Sequence, residues 1–234
     1  MEIKEYIARY YPEGFYPGGN PLPGRREELN RRNSVYLVNN IPVDLLFIGD
    51  SIVEWWEVCA YFSKFGCVVN RGIGGETTSE LIQRFAQDSI DLNPALIVVS
   101  EGINDFSALM ERYKQGTLTE EDKERTVSEM EHNYRTILSL LKTKKKRSVF
   151  CSLLPLGTHD FRNELILKVN KMLQGICTEF NVPFADFYAK MTQTDGITLK
   201  DVTFGDMLHP HVSGYNIMAE VLMPILEKEL KNEH

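Results

Sequence analysis

No apolar run in this 234-residue chain approaches the roughly 18 uninterrupted residues of a membrane-spanning helix, so no membrane span is expected. Positive charge is in deficit. Lys and Arg number 26 against 33 Asp and Glu, a formal net charge of −7. Without clustered cations, neither nucleic acid nor an anionic membrane surface suits the chain as a main partner. Cysteine is scarce and scattered: Cys59, Cys67, Cys151 and Cys177 form no CxxC pair, and no histidine stands at zinc-finger spacing. That pattern speaks against a disulfide framework and a structural zinc site. The opening MEIKEYIARYYPEG is charged from its second residue and lacks the apolar core of a secretory signal. Reduced thiols in a cytoplasmic protein are therefore expected. What the chain does contain, 43% hydrophobic and 25% charged residues, is ordinary globular composition, and its length suits one α/β domain.

Residues 1–40 differ in texture from the rest. Tyr10, Tyr11, Pro12, Phe15, Tyr16, Pro17, Gly18, Gly19, Pro21 and Pro23 cannot sustain a helix or a central strand. They are too aromatic for a flexible linker, and predict an arm lying on the domain surface or on a second subunit of a homodimer. A short polar helix is expected over Glu27–Asn33. Residues 41–234 read as a single domain. Five short apolar runs punctuate it, at Asp44–Gly49, Cys67–Asn70, Ala95–Ser100, Ser148–Leu154 and Val182–Phe187. Helical patterns fill the gaps: Thr77–Gln87, Glu120–Lys142, Asn163–Glu179 and Val212–Lys231. Thr117-x-x-Glu120 has capping-box spacing, and the basic run after Lys142 complements the other end of that helix. Continuous apolar strands alternating with helices imply parallel pairing by right-handed crossovers, hence a three-layer α/β/α sandwich around a five-stranded parallel sheet.

In open parallel sheets, functional groups lie on the loops that leave the C-terminal ends of the strands. The first such loop is Gly49-Asp50-Ser51-Ile52. A serine at a strand-to-helix turn has an exposed hydroxyl for attack and a backbone N–H for an oxyanion, although helix N-caps are also often serine. The second, from Gly72 through Gly74 and Gly75 to Glu76 and Thr77, has two glycines of a dinucleotide fingerprint but Thr77 in the third position. Its glycines could present an N–H to an oxyanion or simply permit a tight turn. The third, Gly102-Ile103-Asn104-Asp105, offers the Asn104 amide as a donor, or as an Asx turn. Before the last helix, Asp206 stands three residues ahead of His209. From there the carboxylate can fix the imidazole tautomer and stabilise the imidazolium formed when His209 takes a proton. Asp206, His209 and His211 as metal ligands are the alternative at this loop.

Together, Gly49-Asp50-Ser51, Gly74-Gly75-Glu76-Thr77-Thr78, Gly102-Ile103-Asn104-Asp105 and Asp206-x-x-His209-Pro210 resemble the four ordered blocks of the SGNH (GDSL) hydrolase superfamily. The likeness runs over roughly residues 44–220. GIGGETT and DMLHPHVSGY are most similar to the branch holding platelet-activating-factor acetylhydrolase-like proteins and carbohydrate acetylesterases. The resemblance implies a flavodoxin-like fold and ester hydrolysis without a cofactor. By matching blocks it implies Ser51 as nucleophile, His209 as general base and then acid, and Asp206 as its orienting partner. The oxyanion hole would be the Ser51 N–H, the Gly75 N–H and the Asn104 amide. Glu76 stands where the family usually has Asp, a departure. Val53 occupies the last position of a would-be GxSxG elbow, which argues against the standard α/β-hydrolase fold.

Trp55, Trp56, Phe106, Met207 and Leu208 flank these blocks as pocket walls or as core. No long apolar lid is visible. The expected substrate is therefore a small-molecule or carbohydrate ester with a short acyl group, acetyl first, with a phospholipid-type acetyl ester or a lysophospholipid as alternative. A non-catalytic binding module and a Rossmann-like nucleotide binder are the readings outside this class.

Overall fold

A computed structural model describes residues 23–158, 160–194 and 200–231. The aromatic stretch expected to form an N-terminal arm lies outside them, apart from Pro23. Five strands form one parallel sheet: β1 (Leu45–Gly49), β2 (Val68–Gly72), β3 (Leu96–Ser100), β4 (Ser148–Cys151) and β5 (Phe184–Ala185), in the order 2-1-3-4-5. Every residue of β1, β3 and β4 is buried, as a sheet covered on both faces requires. Helices cover both faces, giving the three-layer α/β/α sandwich. Strand order reverses between β1 and β3, and the crevice at such a reversal is where this topology binds ligands.

The elements follow from local chemistry. The Thr78–Asp88 helix is N-capped by Thr77 in a capping box with Glu80, so the residue that interrupts the glycine pattern is a helix cap. Val127, Met130, Tyr134, Ile137, Leu138 and Leu141 make the buried stripe of the Glu120–Thr143 helix. Its capping box is Thr119 with Asp122, not the expected Thr117 with Glu120. The Thr117 hydroxyl instead donates to the Arg112 carbonyl. The helix at Arg162–Phe180 nearly coincides with expectation, and that at Val212–Lys231 matches it.

Two elements differ more. The first helix runs from Pro23 to Asn39, well beyond Glu27–Asn33. Its inward face is partly polar, with Asn30 and Asn33 buried beside Leu29, so apolar periodicity marks only part of it. Proline is favoured in a first turn, where its missing N–H has no helical acceptor to lose. The last strand is two residues long. It is an edge strand entered through Pro183, which has no N–H to donate to a ladder. Among the described residues, no helix is long and apolar enough to cross a membrane.

Candidate active site

The crevice is built where β1 and β3 approach. A Cβ on Gly49 would sit 1.7 Å from the Ser100 carbonyl oxygen, so only glycine lets the first loop leave β1 there. Asp50 then caps the Ser51–Glu54 turn of helix by accepting the Ile52 N–H at 2.8 Å. This leaves Ser51 as the first helical residue, with its side chain turned into the crevice.

Ser51 Oγ lies 2.9 Å from His209 Nε2, and His209 Nδ1 lies 2.6 Å from Asp206 Oδ2. The second oxygen of Asp206 accepts the backbone N–H groups of Leu208 and His209, both at 3.0 Å, which locks the turn carrying the histidine. Burial works to raise the Asp206 carboxyl, but hydrogen bonds from the His209 ring and these two amides outweigh it and hold it below the usual carboxylate range. An ionised Asp206 can only accept, so the ring proton sits on Nδ1 and the Nε2 lone pair faces the Ser51 hydroxyl. The turn passes through Met207 at φ +57°, a left-handed conformation that side chains other than glycine and asparagine seldom adopt. The Met207 N–H donates to the Phe204 carbonyl and its carbonyl accepts the Gly157 N–H, which hold it there.

The second and third loops close on the same crevice. Gly75 has φ +79° and open space where a Cβ would be. The turn is held by the N–H groups of Ile73, Gly74 and Glu76, leaving the Gly75 N–H unused by them. The Asn104 side-chain amide donates one hydrogen to the Glu76 carbonyl at 2.9 Å, and its second hydrogen remains for a ligand. Asp105 accepts the Thr78 N–H at 3.0 Å and its hydroxyl at 2.5 Å, tying the third loop to the second. Gly72 is required for another reason than phosphate binding: a Cβ there would lie 2.1 Å from the Glu54 nitrogen. With the Glu54 carboxylate taking the Gly74 N–H at 2.6 Å, the glycine turn presents negative charge where a pyrophosphate would need donors. His211 turns away from Asp206 and His209. Its Nδ1 accepts the Ser213 N–H at 3.1 Å, and its ring meets Phe204 edge-on.

Beneath the loops lies buried charge that sequence reading missed. Arg84, on the inward face of the Thr78–Asp88 helix, donates to both oxygens of Glu76, to Asp88, and to the carbonyls of Gly49 and Arg71. One guanidinium thus braces the first two loops, and Glu76, standing where Asp is usual, is the carboxylate it grips. Burial opposes charge on Arg84, but Glu76 and Asp88 outweigh it and keep the guanidinium protonated. The signal was an arginine at a core-facing position four residues before Asp88. Burial also pushes Asp50 up to about 7 and Asp105 up to about 6, and raises Glu101 well above its ordinary range with Asp50 as a contributing charge.

Of the flanking apolar residues, Trp56 and Phe106 are core. Trp55 and Met207 are exposed at the mouth, and the Trp55 ring lies 4.2 Å from the His209 ring, centroid to centroid, at a 37° tilt. A cavity of about 240 Å³ opens beside Asn104 and Leu208, walled by Ile103, Phe106 and Met110, with Arg162 at its rim.

Residues 47–217 match the model of the GDSL-like lipase/acylhydrolase family. The chain belongs to that family. Membership makes this GDSL acylhydrolase a carboxylic ester hydrolase. Solved structures agree in fold. A GDSL-like lipase from Bacteroides thetaiotaomicron VPI-5482 is 26% identical with a TM-score of 0.64, over 84% of this chain and 97% of that one. A protein from Streptococcus pneumonia, described provisionally as a platelet activating factor, is 22% identical (TM-score 0.64; 86% and 92% covered). An acetyl xylan esterase from Geobacillus stearothermophilus is 21% identical (TM-score 0.62; 79% and 94% covered). No curated protein sequence matches this acylhydrolase.

Proposed function

We propose that this acylhydrolase is a serine esterase that removes short acyl groups, acetyl above all, from small or carbohydrate alcohols. The observation that carries the reading is the unbroken series from Ser51 Oγ through the His209 ring to Asp206, with bonds of 2.9 and 2.6 Å. His209 Nε2 takes the hydroxyl proton as Ser51 Oγ attacks the ester carbonyl carbon. Asp206 holds the ring and stabilises the imidazolium that results. The oxygen that becomes negative is met by the N–H groups of Ser51 and Gly75 and by the free amide hydrogen of Asn104. When the tetrahedral adduct collapses, His209 returns the proton to the departing alcohol, leaving an acyl group on Ser51. Water, activated by the same imidazole, then attacks that acyl group and releases the acid.

The likeness to an acetyl xylan esterase supports acetyl on a sugar. One observation favours a lipid ester instead: Trp55, Phe204 and Met207 are exposed around the mouth. Hydrolysis of p-nitrophenyl acetate, butyrate and octanoate by wild type and Ser51→Ala separates the two. The proposal expects a Ser51-dependent rate that falls steeply with chain length, and release of acetate from acetylated xylo-oligosaccharides. A rate that rises toward octanoate supports the lipid reading, and equal rates in the two proteins refute both.

A further inference from the structure

The three proposed oxyanion donors sit on three loops, and besides the Arg84 brace beneath them one side chain ties the loops of Ser51 and Gly75 together directly. Glu54 is on the same turn of helix as Ser51, three residues on. Its Oε2 accepts the Gly74 N–H at 2.6 Å, one residue before Gly75. The bond therefore ties the glycine turn to the helix that carries Ser51, and fixes the Gly75 N–H relative to the Ser51 N–H. Two adjacent glycines have the greatest backbone freedom to lose, so a turn of this composition needs such an anchor to stay aimed.

Glu54 is itself held from outside this pair of loops. Arg25, on the Pro23–Asn39 helix, brings its Nε to 3.0 Å from Glu54 Oε1. The same guanidinium donates to the Gly72 carbonyl from Nε at 3.3 Å and Nη2 at 3.4 Å, and from Nη1 to Glu28 at 2.8 Å. Arg25 thus braces the glycine turn at its entry and through the carboxylate that grips its middle. It also answers an electrostatic problem. A bare carboxylate one residue from Gly75 opposes the negative charge that develops on the substrate oxygen, and charges act strongly across a partly dry site. Pairing with Arg25 offsets that field. Arg25 lies ahead of residue 47, where the family match begins, so this brace is supplied by a part of the chain outside the matched domain.

We infer that Arg25 and Glu54 form a positioning relay for the oxyanion site, making the Pro23–Asn39 helix part of the catalytic unit. The relay rests on the role proposed above for Ser51 and Gly75. Neither residue touches substrate; both act through the Gly74–Gly75 turn.

The test uses the full chain and measures kcat and KM on p-nitrophenyl acetate, the Ki of phenylboronic acid, and Tm. The boronate forms a tetrahedral adduct with the serine oxygen and places an oxygen in the hole, so it reports alignment that a purely structural role would leave unchanged. Arg25→Met is expected to lower kcat about tenfold with KM nearly constant, and to weaken boronate binding by the same factor, a fraction of the loss for deleting a donor outright. Arg25→Lys, which keeps the charge without the fork, is expected to recover part of it. Glu54→Gln keeps an acceptor oxygen for the Gly74 N–H and removes the charge, so Arg25→Met should cost far less in that background. Arg31→Ala, on the exposed side of the same helix, should change nothing. A lowered Tm with unchanged kcat and Ki in Arg25→Met, or losses that simply multiply in the double variant, overturns the relay. An inactive Ser51→Ala beside a fully active Arg25→Met refutes the relay alone; an active Ser51→Ala removes the serine reading and the relay with it.

Discussion

Replacing Asp50 with Asn isolates the buried carboxyl next to Ser51 in the chain. Asp50 is 2% exposed, and burial, with Glu76 and Asp105 adding repulsion, pushes its carboxyl from 3.8 up to about 7. Between those values the folded protein holds a proton that the unfolded chain has released, so stability falls as pH rises through the window. From pH 5 to pH 7 the change is about two units at about 1.4 kcal/mol each, or about 3 kcal/mol. For a chain of this size that corresponds to roughly 6–12 °C in Tm. Asn keeps the oxygen that accepts the Ile52 N–H and cannot ionise. Its extra amide hydrogens cost up to about 1–3 kcal/mol if they stay unpaired, an offset that does not vary with pH. Glu101 is raised by the same burial and in part by the Asp50 charge, so the difference between the two proteins reports Asp50 together with that coupling and cancels the pH dependence of the rest of the chain. Thermal unfolding by circular dichroism from pH 5 to pH 8 is the assay. The Tm of Asp50→Asn should climb relative to wild type by that amount as pH rises. A difference that stays flat across the range would refute the argument that Asp50 is held protonated by burial.

Two further outcomes follow from the site. Asn104→Ala removes the side-chain donor proposed for the oxyanion and should lower kcat by about 10²–10³ with little change in KM, read on p-nitrophenyl acetate. His211→Ala should leave most of the hydrolysis intact while costing about 0.5–2 kcal/mol in stability, because its ring caps the last helix through the Ser213 N–H; loss of activity equal to that of His209→Ala, with rescue by added metal, would return the metal reading.

The sheet was legible because strands buried on both faces are continuously apolar, and β1 and β3 are so up to their last residues, Gly49 and Ser100. The Glu120–Thr143 helix was legible for the same reason, its apolar stripe being its buried face. The Pro23–Asn39 helix was not, since Asn30 and Asn33 bury amides where a pattern search looks for leucine. Ser51, His209 and Asp206 stood out as candidates because topology sends their loops to one crevice and short spacing brings Asp206 to the histidine ring; their roles came from the resemblance of the four blocks. Arg84 and Arg25 did not stand out. Each works by reaching across from a helix to a loop distant in sequence; the i,i+4 spacing of Arg84 and Asp88 marks a buried cation but not the loops it reaches. The capping box was misplaced by two residues because Thr117 and Thr119 offer the same signal, and only the fold decides between them.

In the proposed mechanism Ser51 is a nucleophile activated by His209. Reaction with a fluorophosphonate, in which the serine oxygen displaces fluoride from phosphorus, tests it most directly when followed by intact-mass and peptide mass spectrometry. One adduct per chain is expected, on the peptide containing Ser51, absent in Ser51→Ala and formed far more slowly in His209→Ala. An adduct on another residue, or ester hydrolysis that persists in a protein whose Ser51 is fully blocked, would contradict it.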